Sequence, residues 1–188
     1  MTILKREAIG LMILGVLGIG GCRSTEQDAE HTERLSQPPM EATTFGRNAS
    51  FTVNGTLVTL VNGVSSAPVE NSSASTTTRY LGSEAEGDLN GDGLEDLAFW
   101  VTQESGGSGT FYYVVVALKS AGGYTATNAF RIGDRIAPQS MEIRSAAREL
   151  HVNFADRKRG EPMTTPPSEA KVLLLKVTSD GVLAGLMS

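Results

Sequence analysis

LAFWVTQESGGSGTFYYVVVALK, Leu97 to Lys119, consists of two apolar runs on either side of a glycine- and serine-rich interruption. The first, LAFWVTQ, has bulky residues in a run of strand length and predicts a β-strand. ESGGSG then turns the chain. TFYYVVVALK returns it as an almost unbroken apolar run, rich in β-branched and aromatic residues. Alternation marks a strand with one wet face; its loss here predicts a central strand buried on both faces.

Outward from this pair, the signals remain those of strands. ASFTVNGTLVTLV splits into two β-rich runs about Asn54-Gly55, which predicts a hairpin. VNGVSSAPVENSSAS predicts a polar loop, and TTTRYLG a third strand. Further strands are expected at Tyr124–Ile132, Ser140–Arg144, Glu149–Phe154 and Ala170–Thr178. No long window after Cys22 carries a 3.6-residue period, and turn signals recur about every ten residues. The predicted fold is therefore mainly β: a single antiparallel β domain over residues 49–188, with few short helices. A helical turn near Ala137–Ser140 or Ser83–Glu86 is compatible with it. Sandwich and curled sheet or partial barrel both remain open.

The chain begins MTILKREAIGLMILGVLGIGGC. Lys5 and Arg6 form a positive start, weakened by Glu7, and an apolar run from Ala8 to Gly21 follows. That run is shorter than the roughly 20 residues of a membrane-spanning helix and suits a secretory signal peptide over residues 1–21. Ile19-Gly20-Gly21-Cys22 resembles the lipobox of bacterial lipoproteins. The resemblance implies acylation of Cys22 and cleavage before it, leaving a protein exported and anchored in the lipid bilayer. Acyl chains contribute about 0.8 kcal/mol per buried CH₂, so two or three hold stably where one is marginal. Arg23 stands where an Asp commonly signals inner-membrane retention in Gram-negative lipoproteins. The resemblance thus implies the outer membrane in a Gram-negative host, and otherwise the outer face of the cell membrane.

Cys22 is the only cysteine, which excludes an internal disulfide and a cysteine-based zinc site. Residues 22–48, with a Pro-Pro pair and no apolar periodicity, predict the lipidated cysteine and a flexible tether. The tether's reach would be about 25–30 Å. His31 falls here and reads as a solvated side chain. The formal charge is −5; losing Lys5, Arg6 and Glu7 with the signal removes one net positive charge and leaves −6. With no long basic run, nucleic acid is not an expected partner.

Just before the central pair lies GDLNGDGLEDLAF, Gly87 to Phe99, with three aspartates, an asparagine and three glycines. Counting Asp88 as position 1 puts Asn90 at 3, Asp92 at 5, Gly93 at 6, Leu94 at 7 and Asp96 at 9. Oxygen-bearing side chains at 1, 3, 5 and 9, with a carbonyl at 7 and a glycine for the sharp turn, are the front of an EF-hand calcium loop. Position 12 is Phe99 instead of a bidentate Glu, and an apolar strand begins at Leu97. The segment therefore resembles the strand-linked calcium loops of FG-GAP-type repeats. The expected ligands of a structural Ca²⁺ are Asp88, Asn90, Asp92 and Asp96 through side chains and Leu94 through its carbonyl. Carboxylates held this close repel unless protonated or bridged by a cation. Without the position-12 Glu, affinity should fall in the weak range, on the order of 10⁻⁴–10⁻³ M. The competing reading is a metal-free turn, since Asp, Asn and Gly are also turn residues. The loop occurs once, which excludes a propeller of such repeats.

GDLNGDGLEDLAFWVTQESGGSGTFYYVVVAL, with GDRIAP and ADRKRGEPMTTPPS, is similar to a family of largely uncharacterised bacterial lipoproteins and secreted proteins. The likeness runs from roughly Ala49 to Val177 and implies no transferable activity. No catalytic residue is assigned. GGSGT lacks the spacing of a nucleophile elbow and the ending of a P-loop. His151 alternates with Val152 and Phe154, which places it on a polar strand face. Asp134, Glu142 and Asp156 are not singled out as a glycosidase pair. The sequence thus predicts an envelope lipoprotein with a structural calcium loop and no evident catalysis. A cell-envelope binding module is the alternative, and a hydrolase of unknown substrate the second. Tyr80, Trp100, Tyr112 and Tyr113 read first as strand core, and otherwise a few of them would form a glycan platform. Arg157, Lys158 and Arg159 read first as a solvated turn, and otherwise would contact an anionic partner protein or glycan.

Overall fold

Two Asn-Gly pairs set the entry into the sheets. The computed structural model describes residues 42–186; the signal peptide, Cys22 and most of the tether lie outside them. The short helix α1 (Ala42–Arg47) occupies the end of the stretch expected to be tether. Its Phe45 packs on the core, so ordered chain starts before residue 49. Strands β1 (Ser50–Val53) and β2 (Thr56–Thr59) pair antiparallel about Asn54-Gly55. Both turn residues have positive φ, 50° and 82°, as a two-residue hairpin of primed type requires.

Asn62-Gly63 repeats the device, with φ of 53° and 90° and a bridge between Val61 and Val64. It leads into β3 (Val64–Pro68), which pairs with β4 (Ser75–Gly87) inside the stretch expected to be loop. β3 has no apolar face, because Val64, Ser66, Ala67 and Pro68 are exposed and only Ser65 is half-buried. Main-chain pairing alone makes it a strand, and periodicity could not signal it. β4 also absorbs Ser83–Glu86, where Ala85 and Glu86 pair with Ala98 and Leu97 instead of turning helically.

β4 continues into β5 (Asp96–Glu104) and β6 (Phe111–Ser120), all antiparallel. The strand expected over Tyr124–Ile132 is two, β7 (Gly123–Ala126) and β8 (Phe130–Asp134), both paired to β6. Between them Asn128 is diverted, its side chain bonded to both main-chain groups of Leu183. The six-stranded sheet runs β3-β4-β5-β6-β7 with β8 also on β6. Register shifts on either side of Gly82 accompany its curl into a half-barrel.

A four-stranded antiparallel sheet of order β12-β11-β10-β9 follows. Its strands are β9 (Ala137–Arg144), β10 (Glu149–Asp156), β11 (Glu169–Val177) and β12 (Leu183–Gly185). Ala137–Ser140 is strand, not helical turn. Every pairing is antiparallel, as the mainly β expectation required.

The central pair is buried from both sides. Leu97, Phe99, Val101, Tyr113 and Val115 join Phe51, Val53 and Leu60 of the hairpin segment in one core. Ala98, Trp100, Val114 and Val116 face the other way and join Leu150, Val152, Phe154 and Leu175 of the four-stranded sheet. Alternate residues of β5 and β6 thus feed two cores, which is why neither strand shows a polar face.

Candidate metal centre

The acidic loop is the β4–β5 connection. Gly87 closes β4 opposite Asp96, the first residue of β5, so residues 88–95 bulge between two paired strands. Gly91 and Gly93 have φ of 86° and 83°, which turns the backbone twice in a space other residues take up only under strain. The oxygen side chains then fold onto their own loop. Asp88 accepts the amides of Gly91 and Gly93, the latter at 2.9 Å. Asn90 Oδ1 accepts the Asp92 amide at 2.9 Å, and its Nδ2 donates to Asp92 Oδ2 at 3.0 Å. Asp92 Oδ1 accepts the Leu94 amide at 2.8 Å. Asp88, Asn90 and Asp92 are therefore brought into one turn.

Asp96 stands apart. It is fully buried, with Oδ2 accepting the Leu89 amide and Oδ1 the Lys119 amide, both at 2.9 Å. It ties the loop to β5 and to β6 in one residue. Burial is the largest influence on its carboxyl and, with the Asp92 charge, lifts it above the usual carboxylate range. The Lys119, Leu89 and Asn90 amides pull the other way without prevailing. For Asp88, burial also pushes upward, but the Gly91, Gly93 and Asp92 amides and the Arg148 charge outweigh it and hold the group below its ordinary value.

The loop's neighbours come from far along the chain, and no sequence signal marks them. Ser145 Oγ, in the β9–β10 turn, accepts the Asp88 amide at 3.0 Å. Arg148 of the same turn lies directly on Gly91, where an added Cβ would collide with the guanidinium. A groove of about 600 Å³ opens there, between the loop, Arg148 and the end of β11. Among the described residues, no three His, Cys, Asp or Glu side chains gather as a metal-holding cluster. Any ion at the loop would therefore rely on the Asn90 oxygen and a main-chain carbonyl as well as on carboxylates.

The basic run divides. Lys158 and Arg159 are exposed. Arg157 turns inward, its Nη1 donating to the Arg135 carbonyl at 3.0 Å and the Asp134 carbonyl at 3.5 Å. Asp134 in turn pairs with Arg135 and accepts the Thr110 amide at 3.1 Å. The GGSGT, GDR and DRKR segments thus meet in one structural knot. Arg157→Ala should lower stability by about 1–3 kcal/mol, since two carbonyls lose a charged donor. Lys158→Ala should stay within about 0.5 kcal/mol. Paired urea melts of the two variants check this; equal midpoints would refute the inward role.

The aromatic platform is not assembled. Trp100 and Tyr112 face one core, Tyr80 and Tyr113 the other, because neighbouring strand residues point to opposite faces. His151 lies on the polar side of β10 and bonds Glu149 at 3.2 Å. That contact is the largest influence holding the Glu149 carboxyl below its usual value. Glu142 pairs with Arg144, and Asp156 with Lys171. Asp134, Glu142 and Asp156 are each engaged with a cation. Among the described residues no helix is long and apolar enough to cross a membrane. Compared with family models, curated proteins and solved structures, the chain matches none.

Proposed function

We propose that the chain is an envelope lipoprotein, anchored in the bilayer through acylated Cys22, whose β domain carries a structural Ca²⁺ in the loop Asp88–Asp96. The observation that carries the reading is the turn formed by Asp88, Asn90 and Asp92, with Asp96 buried at its base. Three side chains of alternate residues are drawn to one place by glycines at positive φ. A carboxylate offers about four acceptor sites, so the amides that Asp88, Asp92 and Asp96 accept leave lone pairs for an ion. Hard oxygen donors favour Ca²⁺ over zinc or copper. The ion would offset the repulsion that Asp92 exerts on buried Asp96 and so fasten the loop to β5 and β6. No catalytic role is assigned to any residue.

Calcium should raise the melting temperature. At ten times a dissociation constant of about 1 mM, linkage contributes about 1.4 kcal/mol. That is roughly 3–6 °C for a chain of this size. Asp92→Ala should abolish the rise while leaving the calcium-free melt within a few degrees. Scanning calorimetry with calcium and with chelator decides it: superimposable curves would remove the ion from the account.

A further inference from the structure

We propose that Asn54 is a site of spontaneous covalent modification, converting to aspartate and isoaspartate in the folded protein while the other Asn-Gly pairs of the chain stay intact. Asn54-Gly55, Asn62-Gly63 and Asn90-Gly91 carry the same dipeptide. Glycine after asparagine leaves the main-chain nitrogen open to approach, because it has no side chain to shield it. The three pairs therefore start alike, and the fold distinguishes them.

The reacting atom is the glycine nitrogen. It must lose its proton and attack Cγ of the preceding carboxamide, so an N–H held in a hydrogen bond is held back. The Gly63 amide donates to the Arg47 carbonyl at 2.7 Å, and Gly63 is buried. The Gly91 amide donates to an Asp88 carboxylate oxygen, whose charge also opposes loss of the proton. The Asn90 carboxamide is bonded through both its oxygen and its nitrogen to Asp92, at 2.9 and 3.0 Å.

The first hairpin differs on each count. Among the described residues the Gly55 amide donates to no group. Asn54 and Gly55 are both exposed, and open space lies where a Gly55 Cβ would stand. The Asn54 carboxamide has one contact, Nδ2 to the Tyr113 hydroxyl at 3.5 Å, beyond the usual hydrogen-bond length. The strand ladder closes at Val53 and Thr56. The peptide unit between Asn54 and Gly55 can therefore rotate to bring nitrogen against Cγ without opening the ladder.

In the reaction the Gly55 nitrogen gives its proton to solvent hydroxide, a bond forms from that nitrogen to Cγ, and the Cγ–Nδ2 bond breaks. Ammonia leaves with a proton taken from water. Water then opens the cyclic imide at one of its two carbonyls. Opening at Cγ yields aspartate, and Asp-Gly fits the same turn as Asn-Gly. Opening at the main-chain carbonyl yields isoaspartate, in which the chain runs through the side-chain methylene. That adds a main-chain carbon to a tight turn, between strands that send Phe51, Val53, Val58 and Leu60 into the core.

The test ages the purified full chain at mildly alkaline pH in chelator, both folded and in urea. Peptide mapping by mass spectrometry, with fragmentation that separates aspartate from isoaspartate, follows each pair. In the folded chain Asn54 should convert about tenfold faster than Asn62 or Asn90, the margin that a hydrogen bond on the nitrogen provides. In urea the three rates should draw level. The aged isoaspartate form should melt several degrees below the fresh chain, whereas Asn54→Asp should melt within about 2 °C of it. Asn62 or Asn90 converting as fast as Asn54 in the folded chain would overturn the proposal. So would an intact Asn54, or a ranking that persists unchanged in urea. An isoaspartate form that melts with the fresh chain would overturn the effect on the hairpin.

Discussion

Asp96→Ala should lower the melting temperature by roughly 4–24 °C in chelator, the largest loss expected from any polar residue of the loop. The substitution strips the acceptor from two amides, Leu89 and Lys119, at a fully buried site. Each unsatisfied buried amide costs about 1–3 kcal/mol, and each kcal/mol shifts the midpoint by about 2–4 °C in a protein of this size. Asp96→Asn keeps one carbonyl oxygen but sets an amide donor against the other N–H, so an intermediate loss is expected.

The pH dependence of the same residue has a definite sign. Its carboxyl is raised in the folded chain, burial being the main cause, so the folded state binds the proton more tightly than the unfolded one. Its contribution to stability is therefore fullest below the unfolded value. It is lost as pH rises through the folded pKa. In Asp96→Asn that decline should disappear, and calorimetric midpoints from acid to neutral pH in chelator would show it. Loss of fewer than two degrees in Asp96→Ala would mean that the two amides find other partners.

Trp100→Ala should cost about 3–5 kcal/mol, in the range for large-to-small changes in a core. That is a large share of the roughly 5–15 kcal/mol that holds a domain of ordinary stability together. Trp100 is buried between the six-stranded and four-stranded sheets, among Val114, Val116, Leu150 and Leu175, and little can collapse into its place. Among the described residues, its indole Nε1 meets no acceptor. Trp100→Phe removes that donor together with part of the ring, and the two effects oppose each other. It should therefore cost far less than the alanine change, under about 1.5 kcal/mol. Circular dichroism melts in urea compare the variants. Since Trp100 is the only tryptophan, its emission in the unmodified chain reports the opening of this core. Equal costs for Ala and Phe would show that packing around the ring is not what holds the two sheets.

Much of the strand pattern was legible because burial leaves a trace in composition. TFYYVVVALK had to be covered on both sides, whatever covered it, LAFWVTQ had to be a strand, and Asn54-Gly55 had to turn. Val64–Pro68 left no such trace, since a strand held by main-chain bonds to β4 needs no apolar residue. Tyr124–Ile132 read as one run because its apolar content continues through the break, which Asn128 makes by bonding to Leu183. In the site, the order of Asp88, Asn90, Asp92 and Asp96 was written in the chain. Their division into three that share a turn and one that is buried was not.

By itself, then, the sequence determined that the strand TFYYVVVALK would be interior and that oxygen-bearing side chains would crowd the connection before the central pair, because hydropathy and local spacing act over a few residues. Only the tertiary structure decided which neighbours those groups meet. Ser145 and Arg148 reach the loop across more than fifty residues, Arg157 turns inward to the Arg135 carbonyl, and the four aromatics are sorted between two cores. Such contacts depend on how sheets stack and strands register, and that is settled by the collective burial of surface, not by any one segment.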